Sequence, residues 1–235
     1  ITSELGIRND HRATTVDVGS PFNYAQQGIL YVASHVEPPS RDGISMQALD
    51  EMGELIEAAG GRTLVLCSSW RAVDKVVEYL RVRIDSRLLA HRRGEPAGQL
   101  VQKFAVDELS TLVGTLSLWQ GVDVPGSSCS QVIIDRIPLP RPDDPVMSAR
   151  ARVVDQAGGS GFNEVMVAKA GLLLSQAAGR LIRSSSDRGV VSVLDPRLVR
   201  ASYSKSLISS MPPLWLTTDK EVTLAALRRV DAGSE

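Results

Sequence analysis

Apolar positions along this chain recur in two rhythms. Short, nearly continuous apolar runs appear at "GILYVAS" (28–34), "RTLVLCSS" (62–69), "STLVGTLSLW" (110–119), "CSQVIID" (129–135) and "RGVVSVLD" (188–195). Runs of this length, partly β-branched, predict strands buried on both faces of a parallel sheet. Longer stretches with helical spacing lie between them. In "ISMQALDEMGELIEAAGG" the apolar residues are Met46, Leu49, Met52, Leu55 and Ile56, and Gly60–Gly61 stop the helix. "WRAVDKVVEYLRVRI" (70–84) and "PAGQLVQKFAVD" (96–107) predict further helices, with a short strand at "LLAH" (88–91). "RIPLPRPDDPV" (136–146) is a Pro-rich crossover that cannot be regular, and two helices separated around "AGGSG" follow it. The opening, through "TTVDVGSPFNYAQQ", reads as irregular, with one short extended piece and a turn at Ser20–Pro21; the tail reads as shorter helical pieces around "MPPLW".

Strands alternating with such helices predict an α/β fold, a mostly parallel sheet with helices on both faces. Ligands of such sheets bind beyond the carboxyl ends of the strands. That rule singles out "CSSWR", "SLWQGVDVPG" and the region around "LDPR".

Polar residues inside an apolar helix raise the first chemical question. Gln176, Arg180 and Arg183 fall within about 60° of one another at helical spacing, while Leu174, Ala178 and Leu181 lie opposite. Gly179 flanks the polar stripe and removes bulk beside it. Two guanidinium forks and an amide on one face suit a polyphosphate, or equally an Asp or Glu on a neighbouring helix. In "GTLSLWQGVDVPG", Thr115, Ser117, Gly121 and Asp123 gather at a strand end. Small residues and hydroxyls there suit a nucleic-acid phosphate; a turn that needs its glycines explains them equally well.

Composition narrows the choice only a little. The 235 residues, 43% hydrophobic and 23% charged, are enough for one large domain or two small ones. Neither a membrane-length apolar run nor a signal-peptide pattern occurs, so the expectation is a cytoplasmic protein with no membrane partner. A net charge of −1 gives no global positive field, although 21 of the 26 basic residues are Arg. Cys67 and Cys129 alone cannot make a four-ligand metal site.

It is the order of the motifs that is specific. "SPFNYAQQ", "LVLCSSWRAVDKVVEYL", "GTLSLWQGVDVPG", "VIIDRIPLPRPDDPV" and "QAAGRLIRSSSDRGVVSVLDPR", from about Ser20 to Pro213, resemble the second RecA-like motor domain of the DinG/XPD-type helicases of superfamily 2. "LVLCSSW" looks like motif IV, "GTLSLWQGVDVPG" like motif V and "QAAGRLIR" like motif VI; "DRGVVSVLDPR" and "DDP" point to the bacterial DinG branch. The resemblance implies that Arg183 is the arginine finger on ATP, with Arg180 and Gln176 in the same cleft. It places Gly121, Asp123 and Gly179 near the nucleotide, and Ser68, Ser69, Thr115 and Ser117 along single-stranded DNA, with Trp70 and Trp119 as base-stacking candidates. Arg71 is a further, weaker candidate. Translocation from 5′ to 3′, a role in repair or recombination and association with the bacterial nucleoid are likewise implied by the family.

Several family features are missing. There is no G-x-x-x-x-G-K-[ST] loop for phosphates and no Asp-Glu-x-His run for Mg²⁺. Residues 1–19 are therefore expected to be a linker from a first motor domain, and 20–235 the C-terminal motor domain. That first domain would bind most of the ATP and its Mg²⁺, and would carry any iron-sulfur cluster, which is not expected in this chain. Alone, the chain is expected to be inactive. The alternative is a stand-alone nucleic-acid-binding or ATPase-stimulating module. Cys67, Ser175 and the "YSK" at 203–205 stand where many relatives carry other residues.

Overall fold

The computed structural model describes residues 19–40, 43–120, 129–179, 181–182 and 184–232, and the side chains of Trp119, Gln120 and Ala232 lie outside that description. Seven parallel strands form one sheet: β1 (Gly28–Val32), β2 (Thr63–Cys67), β3 (Arg87–Ala90), β4 (Ser110–Thr115), β5 (Gln131–Ile134), β6 (Gly189–Val193) and β7 (Trp215–Thr217). Their spatial order is β3-β4-β2-β5-β6-β1-β7. Every residue of β2, β4, β5 and β6 is buried, which is why these strands read as unbroken apolar runs.

Alternation along the strands divides the core in two. Leu64, Leu66, Val132, Ile134, Val191 and Val193 face one side, where Phe104 of α4 (Ala97–Val106), Leu174 of α6 (Ala168–Ala178) and Leu207 of α8 (Ser204–Ser210) cover them. Val65, Cys67, Val113 and Ile133 face the other side. There α2 (Met46–Ala58), α3 (Trp70–Leu80) and α9 (Lys220–Ala232) supply Leu49, Met52, Val73, Val76, Leu224 and Leu227. The outcome is three layers, α/β/α, as the pattern predicts.

Four local expectations need correction. The strand expected over 110–119 stops at Thr115, and Leu116–Gln120 form a 3-10 turn. Gly114 explains this: a Cβ there would lie 2.7 Å from Leu118 Cδ1, so the chain turns back to bury Leu118 over a residue without a side chain. The helix of "QAAGRLIR" ends at Ala178, with Gln176 in its last turn and Leu181 and Ile182 buried beyond its end; Arg180 and Arg183 lie outside the described residues. Its start is a π-helical turn, Phe162–Val167, after α5 (Pro145–Gln156). Lastly, Tyr24–Gln27 is a short helix (α1), and the tail, beyond α7 (Arg197–Arg200), holds β7 and the 13-residue α9.

Candidate functional site

Pairing of β2 with β4 sets Cys67 opposite Thr115, so the residues leaving these two strands emerge side by side. Ser68 and Ser69 are exposed there, as is Ser117, whose hydroxyl lies 2.7 Å from that of Thr115. The four hydroxyl groups differ chemically. The Ser68 N–H and O–H both donate to the Asp135 carboxylate, each at 2.9 Å. Ser69 caps α3, its Oγ accepting the Ala72 N–H at 3.2 Å, which keeps its own hydrogen for donation outward. Trp70 is half-buried, its ring centroid 5.0 Å from that of His91, and Arg71 is exposed on α3.

Two carboxylates back this row. Asp135, directly after β5, is 2% exposed; burial pushes its pKa from 3.8 up to about 6, with the Ser68 hydrogen bonds and the neighbouring Arg136 opposing the rise. Asp195, just beyond β6, is fully buried and accepts from Ile137 N–H at 3.0 Å and from Arg197 Nη2 at 2.7 Å and Nε at 2.9 Å. It thereby ties the Pro-rich crossover to "LDPR". Asp135 is not among the residues singled out from the sequence, and Asp195 enters there only as part of the "LDPR" region. Both follow a single pattern, an acid closing an apolar strand run ("VIID", "VSVLD"), and that signal was available.

The end of α6 lies at the opposite end of the sheet. Gln176 and Gly179 are exposed, while Leu174 and Ala178 are buried. Leu181 lies over Gly189 and Ile182 near Gly28, the paired first residues of β6 and β1. A strand length of roughly 15 Å therefore separates Gln176 and Gly179 from the serine row. Gln27, which ends α1, reaches across to this region and donates to the Ser184 and Asp187 carbonyls at 2.8 and 3.2 Å. Its role has no local signal in the sequence. Arg180, Arg183, Gly121 and Asp123 lie outside the described residues, as does the side chain of Trp119.

Among the described residues no group of three or more His, Cys, Asp or Glu converges on a metal-sized site, and no helix is long and apolar enough to cross a membrane. Cys67 and Cys129 are both buried and unbridged.

Comparison with known proteins places these residues in context. A family model described as the helicase C-terminal domain matches residues 52–214. The ATP-dependent helicase DinG of Mycobacterium tuberculosis is 52% identical over 226 residues, covering 96% of this chain and 34% of that protein. The ATP-dependent DNA helicase YoaA of Escherichia coli is 37% identical over 219 residues, covering 93% of this chain and 34% of its own. This chain thus spans about a third of the length of the curated relatives it matches. Among solved structures, an XPD helicase superposes with a TM-score of 0.58 at 19% identity, over 81% of this chain and 36% of that one. The fold is RecA-like, shared with that structure.

Proposed function

Because the chain belongs to the helicase C-terminal domain family, we propose that it is the second motor domain, residues 20–235, of a DinG-type ATP-dependent DNA helicase. Residues 1–19 are then the linker from the first motor domain. One observation carries the reading: hydroxyl-bearing residues gather at the carboxyl end of β2 and β4, and the end of α6 stands exposed at the other end of the sheet. That division suits a domain with one face for a nucleic-acid backbone and another for nucleotide.

On this reading single-stranded DNA runs over the carboxyl end. Ser69 donates to a phosphate, Thr115 and Ser117 contribute their paired hydroxyls, and Ser68 presents lone pairs because its hydrogen is held by Asp135. Trp70 and Trp119 offer ring faces to bases. Bound ATP, held with Mg²⁺ mainly by the first motor domain, supplies the phosphoanhydride whose cleavage powers movement. From this chain, Arg183 meets the γ-phosphate, and Arg180 and Gln176 support it. Gly179, exposed just beyond the end of α6, has no side chain to obstruct close approach. Gly121 and Asp123, between β4 and β5 in sequence, couple the two faces. Movement 5′ to 3′, in bacterial cytoplasm and in DNA repair or recombination, completes the proposal.

Steady-state ATP hydrolysis tests it. The chain alone should turn over no ATP, and joined to its first motor domain it should do so in response to single-stranded DNA. Arg183→Ala should then lose about 10³-fold or more, the scale of an arginine finger. Turnover by the isolated chain that disappears with Arg183→Ala would instead mean a self-sufficient module.

A further inference from the structure

"SPFNYAQQ" helps to carry the family resemblance, yet neither functional face has so far given its last residue a role. Gln27 is 5% exposed, and its carboxamide is fully committed. The oxygen accepts the Asn23 N–H at 2.9 Å, and Nε2 donates to the carbonyls of Ser184 and Asp187 at 2.8 and 3.2 Å. These contacts bridge 157 and 160 residues of chain. The segment they hold is closed on itself as well. The Asp187 carboxylate accepts the Ser184 N–H at 2.8 Å and its O–H at 2.6 Å, while the Asp187 N–H donates to Ser184 Oγ at 3.2 Å. Ser184 directly follows Arg183.

We propose that Gln27 is a positioning residue for the arginine finger: its amide pins Ser184, and with it the chain at the residue after Arg183, to the start of β1. The inference rests on the reading of Arg183 given above. A carboxamide is suited to the task because it donates two hydrogens to two carbonyls and accepts one N–H through its oxygen. Gln27 is joined to Gly28, whose missing side chain leaves space for Leu214 and which pairs with Gly189, so the anchor is seated in the sheet itself. Rigid support matters here, since misplacing a reacting group by about 1 Å can cost on the order of 100-fold in rate.

The test uses the protein that joins this domain to its first motor domain, at saturating single-stranded DNA. Gln27→Ala removes the clamp. Gln27→Glu keeps its size but replaces both donors with an ionised acceptor facing two carbonyls. Both variants should lower kcat by roughly 10- to 100-fold, with the KM for ATP and DNA affinity changed by less than about threefold. Relative to wild type, kcat of Gln27→Glu should recover as pH falls, because a protonated carboxyl donates again; Gln27→Ala should show no recovery. Unchanged kcat in both variants overturns the inference, and so does a loss in Gln27→Glu that pH leaves untouched. Arg183→Ala in the same assay separates the failures. If it keeps full rate, the arginine-finger reading falls and this inference with it. If it loses rate while Gln27→Glu does not, the inference alone falls.

Discussion

At the carboxyl end of the sheet, polar groups meet because their strands are neighbours; at the amino end they meet because distant segments fold onto one another. Ser68 reaches Asp135 because β2 pairs with β5, and it stands near Thr115 because β2 pairs with β4. The amino end is built from Gln27, Ser130, Leu181, Ser184 and Gly189, joined through backbone carbonyls and missing side chains. Chemistry follows construction. The carboxyl end offers exposed hydroxyls backed by buried carboxylates, whereas the amino end offers a tightly fitted support for a loop. One end is suited to a backbone that slides past, the other to a group that must be held still.

The largest expected effect probes the fit at the amino end. A Cβ on Gly189 would lie 2.4 Å from the Ser130 carbonyl oxygen and 2.7 Å from Leu181 Cδ1, and the first of these is backbone that cannot step aside. Gly189→Ala should therefore cost about 3 kcal/mol and lower Tm by roughly 6–12 °C. A melting curve that matches the parent chain would show the amino end to be loosely assembled, and the contrast would collapse.

Next comes the carboxyl end, through pH. The folded pKa of Asp135, about 6, lies above its ordinary 3.8, so between these values the folded chain binds more proton than the unfolded one. Stability contributed by this group is therefore greatest below about pH 4 and declines as pH rises through about 6. Asp135→Asn keeps an oxygen for the Ser68 N–H and removes the buried charge. It should be more stable than the parent near pH 7 by about 2–3 kcal/mol, the gap closing toward about pH 4. Urea titrations at both pH values measure this; a gap of constant size would mean that Asp135 does not titrate in that window.

The smallest effect sharpens the picture of the serine row. Ser69→Ala removes the cap of α3 and should cost about 1 kcal/mol in stability. It should also weaken single-stranded DNA binding by this chain more than Ser68→Ala does, because the Ser68 hydrogen already belongs to Asp135. Equal losses in a salt-controlled polarisation assay would remove that distinction.

Much of this was legible before any coordinates. The apolar runs marked five of the seven strands, and "LLAH" marked the edge strand β3. The serine row could be anticipated because parallel strands expose their carboxyl-end residues on one edge. The edge strand β7 was missed: it is three residues long, mostly exposed and preceded by two prolines, so its apolar run, Leu214 to Leu216, is too short to stand out. The end of α6 at Ala178 was not legible either, because periodicity says where a stripe would fall and not where the helix stops.

By itself the sequence determined the layers, six of the seven strands and the family, since burial on both faces leaves an unmistakable apolar rhythm and the motifs occur in a specific order. Only the tertiary structure decided that Ser68 gives its hydrogen to Asp135, that Asp195 holds the crossover at Ile137, and that Gln27 grips Ser184. Those contacts join residues tens to more than a hundred positions apart or depend on strand order. Local propensity has no term for either; they exist only once the sheet has brought its two ends together.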